Sequence, residues 1–381
     1  MDFEEHAAKP LLRAAGIAIP RGRLARSAAE AEAVAAELAA PVVVKAQVPQ
    51  GKRGKAGGIR VAGDPAAARA AAGAILGMEI AGHRVASVLV EERAPVAAEY
   101  YAAILGDAAS RAPLVIFSSE GGMDVEEIAA SMPERLRQAS VDILRGLDLE
   151  TAGAMLKGLG LGADEGPVAE TLVALYRAYR DNDAELLEVN PLARLDNGRL
   201  VALDCKFTLD DSGIRRREEL ARRGCPEPLT ALEARAQALG LRYIELDGDI
   251  GVLANGAGLT MTTMDVIAHH GGRAANFLEI GGDAYTKGAP ALEIVLANPR
   301  VRCLVVNFCG AFARTDVMTA GVLDAWEALV PAMPVFFSVR GTGSAQAREM
   351  LRERLGVTPY GTMDEAIVAA VAAARDAGGR L

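Results

Sequence analysis

Apolar and polar residues follow two different patterns along the chain. Up to about residue 230, helical stretches are mixed with antiparallel strand signals such as "RVASVLVEER" followed by "EYYAAILGD", and then the hairpin "ELLEVNPLARLDNGRLVALDCKF". That mixture predicts an α+β domain. The charged stretch "DDSGIRRREELARRGCPEP" carries two prolines and no strand pattern, so it reads as a connector, with the boundary at Pro228. The predicted domains are 1–228 and 229–381. In the second, three strand-turn-helix units follow one another: "IGVLANGAGLTMTTMDVIAHHGG", "RCLVVNFCGAFARTDVMTAGVLDAW" and "MPVFFSVRGTGSAQAREMLRERLG". Uninterrupted apolar strands, each followed by a helix, predict a parallel sheet covered on both faces. Ligands of such sheets sit at the carboxyl ends of the strands. The turns Asn255 to Gly258, Asn307 to Arg314 and Arg340 to Ser344 are therefore expected to line one site, where helix amino termini attract an anion.

The hairpin can be read by register. With Asp196, Asn197 and Gly198 as a three-residue loop and Gly198 left-handed, Leu195 pairs with Arg199, Asn190 lies opposite Asp204, and Glu188 lies opposite Lys206. Side chains opposed in this way are roughly 5 Å apart on one face, which groups the oxygens of Glu188, Asn190 and Asp204. Hard oxygen donors of that kind suit Mg²⁺ shared with nucleotide phosphates. A two-residue Asn197-Gly198 loop would shift the register and send Asp204 to the other face, and acids in a hairpin can simply be solvated. Against solvation, "LLEVNPL" sets Glu188 and Asn190 between apolar residues.

Charge adds a second candidate. "KAQVPQGKRGKAGGIR", Lys45 to Arg60, packs four glycines among five lysines and arginines directly after the apolar "PVVV". Glycine permits close backbone approach and Lys or Arg supplies charge, a pairing suited to a phosphate cradle; a bare basic surface loop is the competing reading. The net charge of −9 with dispersed cations argues against a nucleic-acid surface, so the expected ligand is a small anion. A length of 381 residues implies two or three domains. The 4 cysteines contain no C-x-x-C, which fits a reduced compartment without structural zinc. "MDFEEHAAKPLL" is charged and amphipathic rather than a signal peptide, and no apolar run approaches the ~20 residues of a span, so a cytoplasmic protein without membrane contact is expected.

"VVVKAQV", "GKRGKAGG", "LVEE", "EGGMDVEEIA", "LLEVNPL", "LDCK", "NGAGLTMTTMD" and "ANFLEIGG" occur in the order found in the β subunit of ADP-forming acyl-CoA synthetases. The chain resembles the succinyl-CoA synthetase family, with malate–CoA ligase a close relative, nearly end to end. The resemblance implies an α/β protein: an α+β ATP-grasp domain followed by a flavodoxin-like parallel-sheet ligase domain. It places Lys45, Lys52, Arg53 and Gly54 on nucleotide phosphates, Glu91 and Glu99 in the nucleotide pocket, and Ala94 at a backbone contact. Asn190 and Asp204 fall on the Mg²⁺ positions, and Glu188 on the glutamate that steadies a phosphohistidine. Asn255 and Gly310, Ala311, Phe312 and Ala313 fall on substrate and phosphate positions. The nucleotide is ATP or GTP, and loop 51–58 becomes a flap over its triphosphate.

In this family the phosphoryl group passes from nucleotide to a histidine, then to a carboxylate, before attack by the CoA thiol. The 4 histidines here, His6, His83, His269 and His270, lie in no glycine turn at a strand end; His6 and His83 read as surface positions, and His269 and His270 as a helix end. No G-x-G-x-x-G opens a Rossmann unit near the start either. The resemblance implies that an α-type partner carries the phosphohistidine and most of the CoA site, so the enzyme is at least a heterodimer acting on a small carboxylate such as succinate or malate. Departures from the family gather in the second domain: Ala311 and Asp283 for glycines, Phe312 for a smaller aliphatic, and Ser338 and Arg340 for Arg and Glu. An alanine at a position needing positive φ costs about 1 kcal/mol. Arg340 is a candidate to hold a second carboxylate. Pro49 and Lys52 are milder changes in the first domain. Two other readings stand beside the ligase subunit: a non-catalytic or regulatory β-like subunit, and an ATP-grasp enzyme joining a carboxylate to an amine.

Overall fold

The computed structural model describes residues 1–280 and 284–378; Asp283 lies outside them. The chain divides into two compact units, Met1–Glu227 and Pro228–Leu381.

The first unit holds two antiparallel sheets. In the smaller, the order is β1 (Gly22–Ala25), β6 (Val88–Glu92), β2 (Val42–Ala46), β3 (Ile59–Ala62). The helices α2 (Ala28–Leu38) and α3 (Pro65–Ile75) cover it with a core of small side chains such as Ala31, Val34, Ala68 and Ala72. Both helices start on a side-chain cap: Ser27 accepts from the Glu30 amide at 3.2 Å and Asp64 from the Ala67 amide at 2.8 Å, with Pro65 in the first turn. A short ribbon, β4 (Glu79–Ile80) with β5 (His83–Arg84), precedes β6.

The larger sheet runs β11 (Leu200–Ala202), β10 (Ala184–Leu195), β7 (Val96–Asp107), β8 (Ala112–Ser118), β9 (Leu136–Ser140), with β12 (Lys206–Leu209) also pairing β10. Its core takes in α1 (Glu5–Ala14), α5 (Leu149–Leu156) and α6 (Glu165–Asp181), while α4 (Val125–Ser131) packs Ile128 beside Tyr101 and Ile116. The successive strands β6 and β7 part company into different sheets. Between them lies Pro95, which has no N–H for a ladder; its carbonyl instead accepts from the Asp196 amide at 3.2 Å. The short α7 (Glu218–Ala221) closes the unit.

The second unit is a sheet ordered β13 (Arg242–Glu245), β15 (Asn276–Glu279), β14 (Ile250–Ala254), β16 (Cys303–Gly310), β17 (Val335–Gly341). All pairs are parallel except β13 with β15. The adjacent strands β14, β16 and β17 are those of the predicted strand-turn-helix units. Helices α9 (Ala257–His269) and α13 (Met363–Gly378) pack one face against Val252 and Val305, and α8 (Ala231–Ala238), α10 (Ala284–Leu296), α11 (Thr315–Leu329) and α12 (Ser344–Leu355) pack the other against Leu253, Leu304 and Val306. Both faces are thus buried, which explains strands that are apolar without alternation. Among the described residues, no helix is long and apolar enough to cross a membrane.

Gly251 in β14 is a place where this packing leaves no slack: a Cβ there would lie 2.8 Å from Val295 Cγ1 and 3.0 Å from Val301 Cγ1. Gly251→Ala should destabilise the second unit by about 1–3 kcal/mol. The chain's one tryptophan, Trp326, sits in that core at 9% exposure, so its fluorescence during urea unfolding reports the effect. An unchanged midpoint would show that the core relaxes around the methyl group.

Candidate active site

A cleft of about 1220 Å³ opens in the first unit, walled by α1, β2, the glycine loop after it, the end of β6 and the segment 93–96, the turn at 122–124, and β10 with residues 203–206. Its lining brings together Lys45, Lys52, Arg53, Gly54, Glu91, Ala94, Glu99, Glu188, Asn190 and Asp204. Pro20, Pro41, Val43, Ile59, Val96 and Leu203 give it apolar wall.

The hairpin register is the three-residue-loop alternative. Gly198 has φ 79°, its amide donates to the Leu195 carbonyl, and the Leu195 amide donates to the Arg199 carbonyl. The pairs Leu192 with Ala202 and Glu188 with Lys206 share one register, which sets Asn190 opposite Asp204. Pro191 interrupts the ladder between them, although its carbonyl still accepts from the Leu203 amide at 3.1 Å. Asn190 and Asp204 therefore flank a short irregular stretch and both line the cleft.

Below that stretch lies a cluster of six charges, all buried but Asp204. Lys45 Nζ is 2.9 Å from Glu5 Oε1, 2.8 Å from Glu91 Oε2 and 2.5 Å from the Leu203 carbonyl. Arg53 reaches Glu5 Oε2 at 2.8 Å, Asp204 Oδ1 at 2.6 Å and the Ala46 carbonyl at 3.0 Å. Lys9 Nζ contacts Glu5 Oε1 at 2.7 Å, both oxygens of Glu91 at 2.6 and 2.7 Å, and the Leu203 carbonyl at 2.8 Å. Burial would raise the Glu5 carboxyl, but Lys45, Lys9 and Arg53 together hold it well below its ordinary value. Burial likewise disfavours the charges of Lys45 and Arg53, and the facing carboxylates overcome it and raise both. Lys45 and Arg53 therefore stay charged at any physiological pH.

Glu5 and Lys9 were not legible as site residues. By sequence they belong to a charged amphipathic stretch, yet they are 2% and 3% exposed. The signal was there in spacing: residues 5, 8, 9 and 12 form one helical stripe, on which Ala8 and Leu12 are core. Two opposite charges on a core-facing stripe need partners inside. His6 and His83 are half-buried rather than surface positions, and His270 caps α9 with Nε2 2.8 Å from Asp364.

Glu188 sits beside this cluster. Burial pushes its carboxyl above the ordinary value; Lys206 across the ladder and the Tyr101 hydroxyl, which donates to it, act the other way, while Asp204 adds to the rise. The Tyr101 hydroxyl is in turn raised by burial and by Glu188. Asn190 is engaged with the opposite rim: its Oδ1 accepts from the Gly122 amide at 2.8 Å and its Nδ2 donates to the Met123 carbonyl at 2.9 Å. Glu99 stands exposed on β7 so close to Gly122 that a Cβ there would collide with its carboxylate. The glycine loop meets the same rim through Lys52 and Lys55, whose Nζ atoms are 3.2 and 3.4 Å from Asp124. Both lysines are about two-thirds exposed, so these pairs contribute little and the loop opens cheaply.

In the second unit, Asn255 follows β14 directly and clamps the neighbouring strand: its Nδ2 donates to the Cys309 carbonyl at 2.9 Å and its Oδ1 accepts from the Cys309 amide at 2.9 Å. Gly310 to Ala313 turn from β16 toward α11, with the Thr342 hydroxyl donating to the Ala311 carbonyl at 2.9 Å. Ala311 has no positive φ, so the expected strain at that position does not arise; the left-handed residues nearby are Gly341 and Gly343, at φ 87° and 82°. Within its unit Phe312 is fully exposed. Ser338 is buried with its Oγ unbonded, whereas Arg340 is exposed at the strand end opposite Cys309.

The family described as ATP-grasp domain matches residues 2–194, and that described as CoA-ligase matches residues 253–375. Fold and cleft together define an ATP-grasp ligase domain followed by a CoA-ligase domain. GDP-forming succinate–CoA ligase subunit beta of Thermus thermophilus is 41% identical over 373 residues, covering 98% of each chain. ADP-forming subunit beta 2 of Streptomyces coelicolor is 42% identical over 355 residues, 93% of this chain and 92% of that one. The ADP-forming subunit beta of Rubrobacter xylanophilus is 41% identical over 382 residues, 99% and 100% of the two chains. The chain belongs to the succinate–CoA ligase β-subunit family. As a member it is a nucleotide-binding subunit of an acid–CoA ligase, an enzyme class that forms carbon–sulfur bonds. In fold it is like ATP citrate lyase from Methanothrix soehngenii in complex with citrate and coenzyme A, with a TM-score of 0.71 at 24% identity over 97% of this chain and 99% of that one.

A lowered Glu5 pKa makes stability depend on pH in a set direction. The charged carboxylate contributes its full stabilisation above the ordinary value of 4.5 and loses it as pH falls toward the lowered native value. Glu5→Gln should therefore cost about 3–5 kcal/mol near neutrality, the cost of breaking a buried ion cluster. The deficit should shrink as pH drops below 4.5, in unfolding curves followed by circular dichroism. Parallel curves at all pH values would refute the cluster's role.

Proposed function

We propose that this chain is the nucleotide-binding β-type subunit of an ADP-forming acid–CoA ligase, moving phosphoryl between ATP or GTP and a histidine of an α-type partner to activate a dicarboxylate such as succinate or malate. The observation that carries this reading is the convergence of Lys45, Arg53, Asn190 and Asp204 on one cleft under a cationic glycine loop. Lys45 and Arg53 are fixed by buried carboxylates and aim charge at the cleft without needing to be ordered when a ligand arrives. Lys52, Lys55 and Gly54 close over the phosphates once their exposed contacts with Asp124 are exchanged for phosphate oxygens. The apolar wall with Ala94 and Glu99 receives the base and sugar, and Glu91 holds Lys45 in place.

The donor set fits a divalent cation. Both contacts of Asp204, with Arg53 and with the Cys205 amide, use Oδ1, which leaves its second oxygen for a metal, and the Asn190 amide oxygen is a hard donor on the same cleft. Mg²⁺ held by Asn190 and Asp204 would neutralise phosphate charge as the terminal phosphoryl leaves. Glu188, with its proton affinity raised by burial, would accept a hydrogen bond from the partner's histidine and fix its ring. The turns carrying Asn255 and Gly310 to Ala313 would meet the carboxylate and phosphoryl group, with CoA bound mainly by the partner. A cytoplasmic setting is in keeping with this chemistry.

Asp204→Ala should abolish phosphorylation of the partner by ATP, a loss of at least about 100-fold in rate, while the two chains still copurify. Phosphorylation at the normal rate would remove Asp204 from the metal site.

A further inference from the structure

Charge counting around the cleft isolates a residue behind it. Glu5, Lys45, Arg53, Glu91 and Asp204 line the cleft; Lys9 does not. Setting aside Asp204, the residue assigned to the metal, Lys45 and Arg53 would be matched one for one by Glu5 and Glu91. Both cations would then be neutralised by carboxylates a few ångströms away. Lys9 changes that balance, because it contacts both carboxylates of the pair from the far side, at 2.6 to 2.7 Å. It is 3% exposed and its ammonium is also bound to the Leu203 carbonyl, which Lys45 shares, one residue before Asp204.

We propose that Lys9 sets the surplus positive charge of the cleft: a positioning residue that acts on a nucleotide's phosphates through Lys45 and Arg53 without reaching them. This rests on the reading that the cleft binds a nucleotide. With Lys9, three cations face Glu5 and Glu91 and one unit of charge is left over for the ligand. Without it the count is two against two, and Lys45 is fully claimed by the protein. A buried surplus of this kind is poorly screened, so it acts on an anion several ångströms away.

Charge compensation tests the idea. Lys9→Met removes the surplus; Glu5→Gln in the same chain restores it, since Lys45 and Arg53 then face Glu91 alone. MgADP is the anionic probe and adenosine, which has no phosphate, the neutral one, both titrated by calorimetry into the purified chain. Lys9→Met should weaken MgADP by at least about tenfold and leave adenosine unchanged, with Lys9→Arg close to wild type and the Glu5→Gln/Lys9→Met double variant recovering most of the MgADP affinity. If Lys9→Met does not fold, the double variant against Glu5→Gln alone measures the same unit of charge. Equal weakening of both probes would make Lys9 merely structural and overturn the inference, as would a double variant no better than Lys9→Met. A wild-type chain that binds neither probe would instead sink the nucleotide reading beneath it.

Discussion

Three cations and two carboxylates share one buried enclosure with Asp204 at its edge, and the rest of the first unit is arranged around keeping them there. Lys9 and Glu5 come from α1, Lys45 from β2, Glu91 from β6, Arg53 from the glycine loop, and Asp204 from the break between β11 and β12. No two neighbouring elements supply the whole set. Ions out of water are costly singly and tolerable only when each finds its partner, so the cluster forms when the smaller sheet, α1 and the hairpin are all in place. Its expense is accepted because charges held in a water-poor cleft act strongly on whatever anion enters it.

The same constraint explains the division between fixed and movable cations. Lys45 and Arg53 have buried partners and backbone carbonyls to hold them, whereas Lys52 and Lys55, themselves exposed, pair with the half-buried Asp124. A site that must admit a triphosphate and release a diphosphate needs both kinds: a rigid floor that sets geometry and a loose cover that exchanges one anion for another. Asn190, on β10, ties that floor to the rim through its amide's bonds to the backbone at 122–123.

Much of this was legible in the sequence where local rules suffice. The D-N-G turn narrowed the hairpin to two registers, of which the three-residue loop is the one formed, and the three apolar strands of the second unit announced a parallel sheet. Two strands of that sheet, β13 and β15, are four residues each and carry too little pattern to stand out. What the sequence hid was long-range. Lys9 meets Glu91 across 82 positions of chain and Glu5 meets Lys45 across 40, and nothing local distinguishes a charge paired in the interior from one in water except its place on a core-facing stripe. Ala311 failed as a sign of strain for the opposite reason: a glycine in relatives suggests positive φ, but here the neighbouring Gly341 and Gly343 take the left-handed conformations.

The account stands on a cleft that grips a nucleotide through fixed cations and a magnesium seat at Asn190 and Asp204. Direct titration of ATP into the isolated chain, with Mg²⁺ and then with the metal chelated, addresses this most closely. Binding that is saturable with magnesium and much weaker without it is the expected result. No binding, or the same affinity in both conditions, would contradict the account at its centre.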